Sequence, residues 1–405
     1  MRDQRHGGIA WTDYTANPVR YKDADGKDVW ACVKHSAGCA NCYAEALAIR
    51  WKKGDVFNRD NMAKLTPYFR DDEAQALIRS PHVAGKRVFI GDMTDVAGEW
   101  IEDEILDRLF AVMAIRSDVT FQVLTKRPGR LAEYFKSGGG PNVIQWSGEP
   151  NVYSRIRQIA EVASEYQKDV IRAPKFPFPN VWIGTSVANQ DAVGLLDDLM
   201  RVPAALRFAS VEPLIGRVVF AKKFKDGGRR DYLTGQFHNM PTTFSDGRTG
   251  TVETCDPKLP KLDWVIVGGE SGMGSRECSI EWIRDIIHQC RTANVPVFVK
   301  QFGQRPIAPY YDPIRMTEQF KHGDTWPDPY NHDIDRDGQP GASAMVKLPI
   351  AGKGSKPEEW PEEFRVQMFP RDIIEKVYRG HLCQFCGLSP CSDECRESFQ
   401  PGAGV

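Results

Sequence analysis

A chain of 405 residues, 41% hydrophobic and 26% charged, is long enough for one large domain or two to three smaller ones around a buried core. Its 53 basic and 54 acidic residues leave a net charge of −1, which excludes a globally basic nucleic-acid-binding protein but not a local basic patch. No apolar run approaches the roughly 18 residues of a membrane span and the polar start is not a signal peptide, so we expect a cytoplasmic protein with reduced cysteines.

The first motif in the chain is a group of three cysteines, Cys32, Cys39 and Cys42, just ahead of a helical pattern. Three thiolates can bind three irons of a cluster and leave the fourth iron open, as a catalytic site requires. Zinc completed by His35 or by a distant ligand is one alternative, and plain reduced thiols are another. The six-residue gap before Cys39 is longer than zinc knuckles usually have, so the spacing favours the cluster.

Downstream, short β-branched runs alternate with amphipathic helical stretches, which predicts an α/β fold with a partial or full (β/α) barrel of six to eight units. In chain order, we expect strands at Ile9–Trp11, Arg87–Gly91, Thr120–Leu124, Val181–Thr185, Leu206–Ser210, Trp264–Gly268 and Val295–Val299. Apolar residues at helical spacing predict helices around 101–112, 193–200 and 283–290. The barrel is assigned to residues 1–305, with insertions at about 138–179, which includes a helix around 153–166, and at about 217–260.

Polar side chains follow the predicted strands at the ends where ligands gather in parallel β/α folds. They are Asp92, Thr94, Asp95, Thr125, Lys126, Arg127, Thr185, Ser186, Glu212, Glu270, Ser271, Lys300 and Gln301. Because these ends carry both signs of charge, we expect one shared polar cavity, with helix capping and solvation as the alternative. The cysteine loop follows the first strand, so it is expected to open onto the same face.

The remaining regions carry two further signals. Residues 306–370 are an irregular extension, and residues 371–405 combine a short helix at Asp372–Arg379 with a knuckle of four cysteines, Cys383, Cys386, Cys391 and Cys395. Four thiolates in so short a stretch predict a closed metal site, with zinc as the first choice and a second iron–sulfur cluster as the alternative. The basic run Lys222, Lys223, Lys225, Arg229 and Arg230 is either a solvated surface or a set of phosphate contacts.

Several blocks of the sequence resemble a phage-associated family known for its three-cysteine motif and catalogued as a domain of unknown function. The blocks are IAWTDYTANPV, GCANCYAE, VFIGDMTD, FQVLTKRP, VWIGTSV, RFASVEPL, DWVIVGGESG and VPVFVKQFG, from about residue 8 to residue 303. The family is distantly similar to radical S-adenosylmethionine (SAM) enzymes, which use a partial β/α barrel and three cysteines after the first strand. Here C-x6-C-x2-C replaces the usual C-x3-C-x2-C, and Gly268–Glu270 stands after a later strand than that family's Gly-Gly-Glu.

The resemblance implies an enzyme that holds a [4Fe–4S] cluster on Cys32, Cys39 and Cys42, whose open iron binds SAM for reductive cleavage to a 5′-deoxyadenosyl radical. It implies cofactor contacts from Asp92, Thr94, Lys126, Arg127 and Ser186, and substrate contacts from Glu212, Glu270 and Lys300. A phage setting favours modification or repair of a nucleotide or nucleic-acid base in the cytoplasm of a bacterial host, with a flavodoxin or ferredoxin as electron donor.

Two other classes of protein are alternatives to the radical enzyme. One is a non-catalytic nucleic-acid-binding protein that zinc stabilises at both cysteine groups. The other is a hydrolase or lyase in which Glu212 and Glu270 act as acid and base.

Overall fold

The strands and helices of the chain are given by a computed structural model that describes residues 1–4, 8–136, 154–156, 159–160, 177–225, 227–243, 248–254, 259–309, 345–347, 355–360 and 362–370. In chain order the strands are β1 (Arg2–Asp3), β2 (Tyr14–Ala16), β3 (Val19–Lys22), β4 (Asp28–Val29), β5 (Thr66–Phe69), β6 (Arg87–Ile90), β7 (Thr120–Thr125), β8 (Val181–Ser186), β9 (Leu206–Val211), β10 (Ala221–Lys223), β11 (Arg229–Asp231), β12 (Phe237–Thr243), β13 (Thr249–Thr254), β14 (Trp264–Gly268), β15 (Cys278–Ser279), β16 (Val297–Gln301), β17 (Pro306–Pro309) and β18 (Met345–Lys347).

The α-helices are α1 (Tyr43–Arg50), α2 (Arg59–Met62), α3 (Asp71–Arg79), α4 (Asp103–Ile115), α5 (Pro128–Lys136), α6 (Leu195–Arg201) and α7 (Ile280–Thr292). Short 3-10 turns occupy Ala37–Cys39, Pro81–Val83, Gln190–Gly194, Pro357–Glu359 and Glu362–Phe364. In the described residues, no helix is both long enough and apolar enough to cross a bilayer.

The central sheet has eight strands in the order β1-β2-β6-β7-β8-β9-β14-β16, parallel throughout except for the antiparallel edge strand β1. Because the parallel strands follow one another in chain order, every crossover runs in the same direction and the sheet curls into a half-barrel. No ladder joins β1 to β16 within the described part of the chain. The predicted α/β barrel class is therefore confirmed in its partial form.

Most of the predicted strands and helices lie where the sequence placed them, but the predicted strand at Ile9–Trp11 is wrong. The first parallel strand is β2, and the N–H of Thr12 instead closes a turn onto the carbonyl of Ile9 (3.2 Å). The reason is the Trp11 ring, which fills the floor of the half-barrel with its centroid 4.8 Å from that of Phe89 and 6.4 Å from that of Trp264. A strand and a buried turn share the same apolar composition over so few residues.

The inner face of the half-barrel changes from apolar to polar along each strand. Side chains two residues apart share a face, so Trp182 on β8 and Leu206 and Phe208 on β9 join Trp264, Ile266 and Phe298 in one buried cluster. Further along the same faces of these strands the inward residues are Ser186, which follows Gly184, and Ser210, Gly268 and Lys300. An aromatic floor therefore supports a polar mouth at the carboxyl ends of the strands, where a site was expected.

Outside the central sheet, three smaller sheets complete the described structure: β4-β3-β5, β10-β11-β12-β13 and β15-β17-β18. The insertion predicted at 217–260 forms the second of these. Of the helix expected around 153–166, residues 154–156 and 159–160 are described and helical. The extension at 306–370 contributes β17 and β18, whereas the region 371–405, with its predicted helix and knuckle, lies outside the described residues.

Candidate functional site

The three cysteines lie in a loop between β4 and α1, and helix α1 starts directly after Cys42. The backbone N–H of His35 points at the Cys39 sulfur at 3.4 Å. The Cys42 sulfur makes no capping hydrogen bond, yet the first N–H groups of α1, at Ala44 and Glu45, favour its thiolate. The N–H of Asp95 favours the Cys32 thiolate in the same way. Cys39 thus accepts a backbone hydrogen bond, and nearby backbone N–H groups favour the thiolate forms of Cys32 and Cys42.

The cysteines share one half-buried neighbourhood. Cys32 and Cys42 pack against an apolar cluster of Trp30, Ala44, Ala48, Phe57 and Met93. Burial raises the pKa of the Cys32 thiol to about 12, and the nearby Asp95 carboxylate adds to this rise. Burial also raises the pKa of Cys42, which lies within electrostatic range of both Cys32 and Cys39. Without a bound metal these two thiols therefore remain protonated at neutral pH.

Three cysteine sulfurs are the donors that this loop offers to a metal. Across the described ranges, no three His, Cys, Asp or Glu side chains converge closely enough to hold one metal ion. Thiolates are soft ligands that both zinc and the irons of an iron–sulfur cluster bind.

On one side of the loop, Thr94 and Arg127 hold the backbone on either side of Cys32. Thr94 donates its hydroxyl to the carbonyl of Ala31 (2.7 Å), and Arg127 Nη2 donates to the carbonyl of Val33 (2.9 Å). Arg127 is itself fixed by Asp95, with Nη1 3.0 Å from Oδ2. Both residues were predicted as cofactor contacts, and the structure assigns their hydrogen bonds to the cysteine loop itself.

On the other side, Glu270 and Arg276 clamp the turn between Cys39 and Cys42. The Glu270 carboxylate, only 4% exposed, accepts Arg276 Nη2 (2.7 Å) and Nε (2.9 Å), and also Asn41 Nδ2 (3.0 Å). Arg276 Nη1 in turn donates to the carbonyl of Ala37 (2.8 Å). Burial alone would raise the pKa of Glu270, but the hydrogen bonds from Arg276 and Asn41 lower it. Glu270 is therefore an ionised positioning group, and its oxygens are occupied rather than directed at a substrate.

Asp92 lies beside the cysteine helix, at the end of β6. Asn17 Nδ2 donates to its Oδ1, and the hydroxyl of Tyr43, the residue after Cys42, donates to its backbone carbonyl. Burial raises the pKa of Asp92 in spite of hydrogen bonds from Asn17 and Thr15. A positive charge beside this buried carboxyl group would stabilise its ionised form.

Two cations reach the mouth of the half-barrel in different states. Lys126 Nζ donates to Ser186 Oγ (3.2 Å) and, within the described residues, has no carboxylate at ion-pair distance. Lys300 Nζ, by contrast, is paired with Glu212 Oε1 at 2.6 Å, and Gln301 Nε2 donates to the same oxygen at 3.2 Å. Lys126 is therefore the mouth cation that is available to an anionic ligand, while Glu212 and Lys300 form a neutral polar pair.

Two cavities border the site. One of about 520 Å³ lies behind the cysteine loop and includes Trp30, Cys32 and Phe57 in its wall. The other, of about 480 Å³, lies between the two edges of the half-barrel, where Gln4, Gly8 and Ile9 face Lys300 and Gln301. The open edge of the sheet thus leaves a cavity beside the mouth.

Sequence reasoning missed four residues of this site: Asn17, Asn41, Tyr43 and Arg276. Asn41 and Tyr43 flank Cys42, so their position in the motif was a usable signal. Arg276 gave no signal, because its hydrogen bond to the carbonyl of Ala37 in the cysteine loop joins residues 239 positions apart. The predicted ligands Cys383, Cys386, Cys391 and Cys395 lie outside the described residues, and the knuckle stays a prediction.

Residues 6–332 match the family described as "Protein of unknown function (DUF5131)", so the chain belongs to that family. No curated protein and no solved structure matches the chain.

Proposed function

We propose that this member of the DUF5131 family is an iron–sulfur enzyme of the radical-SAM type that acts on a nucleotide or nucleic-acid base. One observation supports this most: three cysteines lie close together at the polar mouth of a half-barrel, in a loop that two hydrogen-bonded clamps hold. When bound, the cluster and SAM would supply reductive cleavage to a 5′-deoxyadenosyl radical that abstracts hydrogen from the substrate.

The chain's own residues divide the work of binding. Cys32, Cys39 and Cys42 would ligate the cluster. Asp92 would receive the amino group of SAM. Lys126 would receive the SAM carboxylate, since no carboxylate among the described residues lies at ion-pair distance from it. Ser186, which accepts a hydrogen bond from Lys126, would bind a ribose hydroxyl.

The remaining predicted residues would act around the reacting groups. Thr94 and Arg127 would fix the cysteine loop, as Glu270 does, so that the ligand geometry is set before the cofactor arrives. Glu212 and Lys300 would face the substrate through the open edge of the sheet. The electron would come from a flavodoxin or ferredoxin, in the cytoplasm of a bacterial host if the protein is encoded by a phage. Zinc in the C-terminal knuckle, or a second cluster there, completes the proposal.

Anaerobic purification followed by a SAM cleavage assay tests this function. Wild-type protein should be brown, with absorbance near roughly 400 nm from cysteine-ligated iron, and should release 5′-deoxyadenosine when reduced. Cys39→Ala should lose both properties. Cys290→Ala, at a fully buried cysteine on α7, is the matched control and should retain both.

The alternatives predict different results. Colourless protein that contains only zinc would overturn the proposal in favour of the metal-stabilised binding protein. Activity on substrate that survives Cys39→Ala would favour a hydrolase or lyase, although the lowered pKa of Glu270 does not suit a general acid.

A further inference from the structure

The hairpin of β10 and β11 divides its basic residues between two faces. Lys222 and Arg230 lie on the inner face, where both meet Asp197 of α6: Lys222 Nζ is 2.5 Å from Oδ2, and Arg230 Nη1 is 3.8 Å from Oδ1. The Arg230 guanidinium also lies over the rings of Tyr232 and Phe237, at 5.3 Å from each centroid. These two cations attach the hairpin to the half-barrel and are not available to a ligand.

The outer face of the hairpin carries three cations of a different kind. Lys223 and Arg229 are exposed and directly opposite each other in the register of the two strands, and Lys225 is exposed in the turn that joins them. In the described portion of the chain, none of the three has an acidic partner. Like charges directly opposite on neighbouring strands repel and destabilise the pair. An anion bound between Lys223 and Arg229 would remove that repulsion.

The surroundings of Arg229 favour a nucleic acid over a simple anion. Arg229 borders a cleft of about 310 Å³ that is also lined by the cation Arg217 and by Phe220 and Leu233, which are almost fully buried. Arg217 is paired with Asp285 (3.0 Å), and Asp231, which also lines the cleft, accepts the backbone N–H groups of Leu233 and Thr234 through Oδ1. A row of exposed cations without acidic partners in the described residues, next to a cleft of this size, fits phosphates on one side and a sugar or base on the other.

We propose that the outer face of the β10–β11 hairpin, formed by Lys223, Lys225 and Arg229, binds the phosphate backbone of a nucleic acid at the flank of the half-barrel. The substrate is then a polymer rather than a free nucleotide. This identification of the bound polymer as the substrate rests on the proposed function, whereas the binding itself does not need a cluster. Because the net charge of the chain is −1, the affinity must come from this local patch.

Fluorescence anisotropy with short labelled single-stranded DNA and RNA oligonucleotides tests the binding at several salt concentrations. The triple variant K223Q/K225Q/R229Q should bind about 10- to 100-fold more weakly at ~0.1 M salt. Its slope of log affinity against log salt should be smaller by about 2 to 3, at roughly 0.7–0.9 per lost phosphate contact. The control R59Q/R79Q/K86Q removes three exposed cations elsewhere and should bind like the wild type. Circular dichroism melts of both triples check that they are folded.

Three results would overturn the inference. The hairpin triple could keep wild-type affinity and slope, both triples could weaken binding equally, or polyglutamate could compete as well as an unlabelled oligonucleotide. The same titration on Cys39→Ala separates the two proposals. If the wild type binds the oligonucleotide through the hairpin but is colourless and does not cleave SAM, only the enzyme function is refuted. If the wild type is brown and cleaves SAM but its oligonucleotide binding does not depend on the hairpin cations, only this inference is refuted.

Discussion

Replacing Glu270 with Gln changes the clamp on the cysteine turn while keeping its shape. The carboxylate accepts the backbone N–H of Arg276 (2.8 Å), two guanidinium N–H groups of the same residue and the Asn41 amide. A Gln side chain has one acceptor oxygen and one NH₂ group. At least one of these donors would then face another donor, and Arg276 would lose its counter-charge.

The size of the effect follows from burial. Hydrogen bonds to a charged group contribute about 1.5–3 kcal/mol, and removing one partner of a buried ion pair costs about 3–5 kcal/mol. Arg276 is 31% exposed, so water partly screens its charge and the cost lies toward the lower end of these two ranges. We expect the turn that carries Cys39 and Cys42 to be destabilised by about 2 kcal/mol, which is roughly a 30-fold rise in its open population.

Thiol labelling followed by mass spectrometry measures that opening in protein without a cluster. Cys39 and Cys42 should be modified about 30-fold faster in Glu270→Gln than in the wild type. The matched control is Glu277→Gln, seven residues along the same segment, whose pair with Arg305 is about half exposed on both sides. That variant should change the rate by less than about threefold, as a surface pair does. Equal rates in the two variants would refute the assignment of Glu270 as a positioning residue.

Four further predictions concern stability and ligand binding. The pKa of Glu270 in the folded protein lies below its ordinary value of 4.5, so the stability that its ionised form contributes is complete above pH 4.5 and is lost as the pH falls through the folded pKa. The difference in Tm between the wild type and Glu270→Gln should therefore shrink in acid. A difference in Tm that stays constant with pH would contradict this dependence. Arg127→Met should cost about 3 kcal/mol or more in urea unfolding because it leaves Asp95 buried without its partner, whereas Arg201→Met at an exposed pair should cost under about 1 kcal/mol. Gly184→Ala should destabilise the protein by at least about 1–3 kcal/mol in urea unfolding, because its Cβ would come within 2.5 Å of the Phe208 ring. Gly194→Ala is the control, because its Cβ meets nothing within 4 Å; it should be neutral or stabilising by up to about 1 kcal/mol in the same measurement. Lys126→Gln should weaken SAM binding about 10-fold in equilibrium dialysis without changing the colour of the protein, and unchanged SAM affinity would remove Lys126 from the cofactor site.

Much of the fold was readable from the sequence because local patterns report local structure. Six of the seven predicted strands recur at or near their predicted positions, since buried parallel strands are continuous apolar runs that few other elements imitate. Ile9–Trp11 failed because three apolar residues cannot distinguish a strand from a turn that buries its tryptophan. The cluster of polar residues at one edge was also predictable, because parallel strands bring their carboxyl ends together.

The roles of those polar residues were not readable, since each depends on a partner far away in the chain. Glu270 and Lys300 are both charged residues that follow a strand, yet one is enclosed by Arg276 and Asn41 and the other is paired with Glu212. The basic run of the second insertion is a similar case. Five cations in sequence became two that anchor and three that face solvent, because alternate residues of a strand point to opposite faces.

The sequence alone determined that a three-cysteine loop precedes a series of β/α units whose strands end in polar residues, because spacing and periodicity are properties of neighbouring positions. Only the tertiary structure decided that the barrel stays open, that Thr94, Arg127, Glu270 and Arg276 hold the loop, and that Lys126 remains without a counter-charge among the described residues. The physical reason is that hydrogen bonds and ion pairs depend on distance in space. The burial and the ion-pair partners of a charged residue therefore decide its role, and neither can be inferred from its position in the sequence.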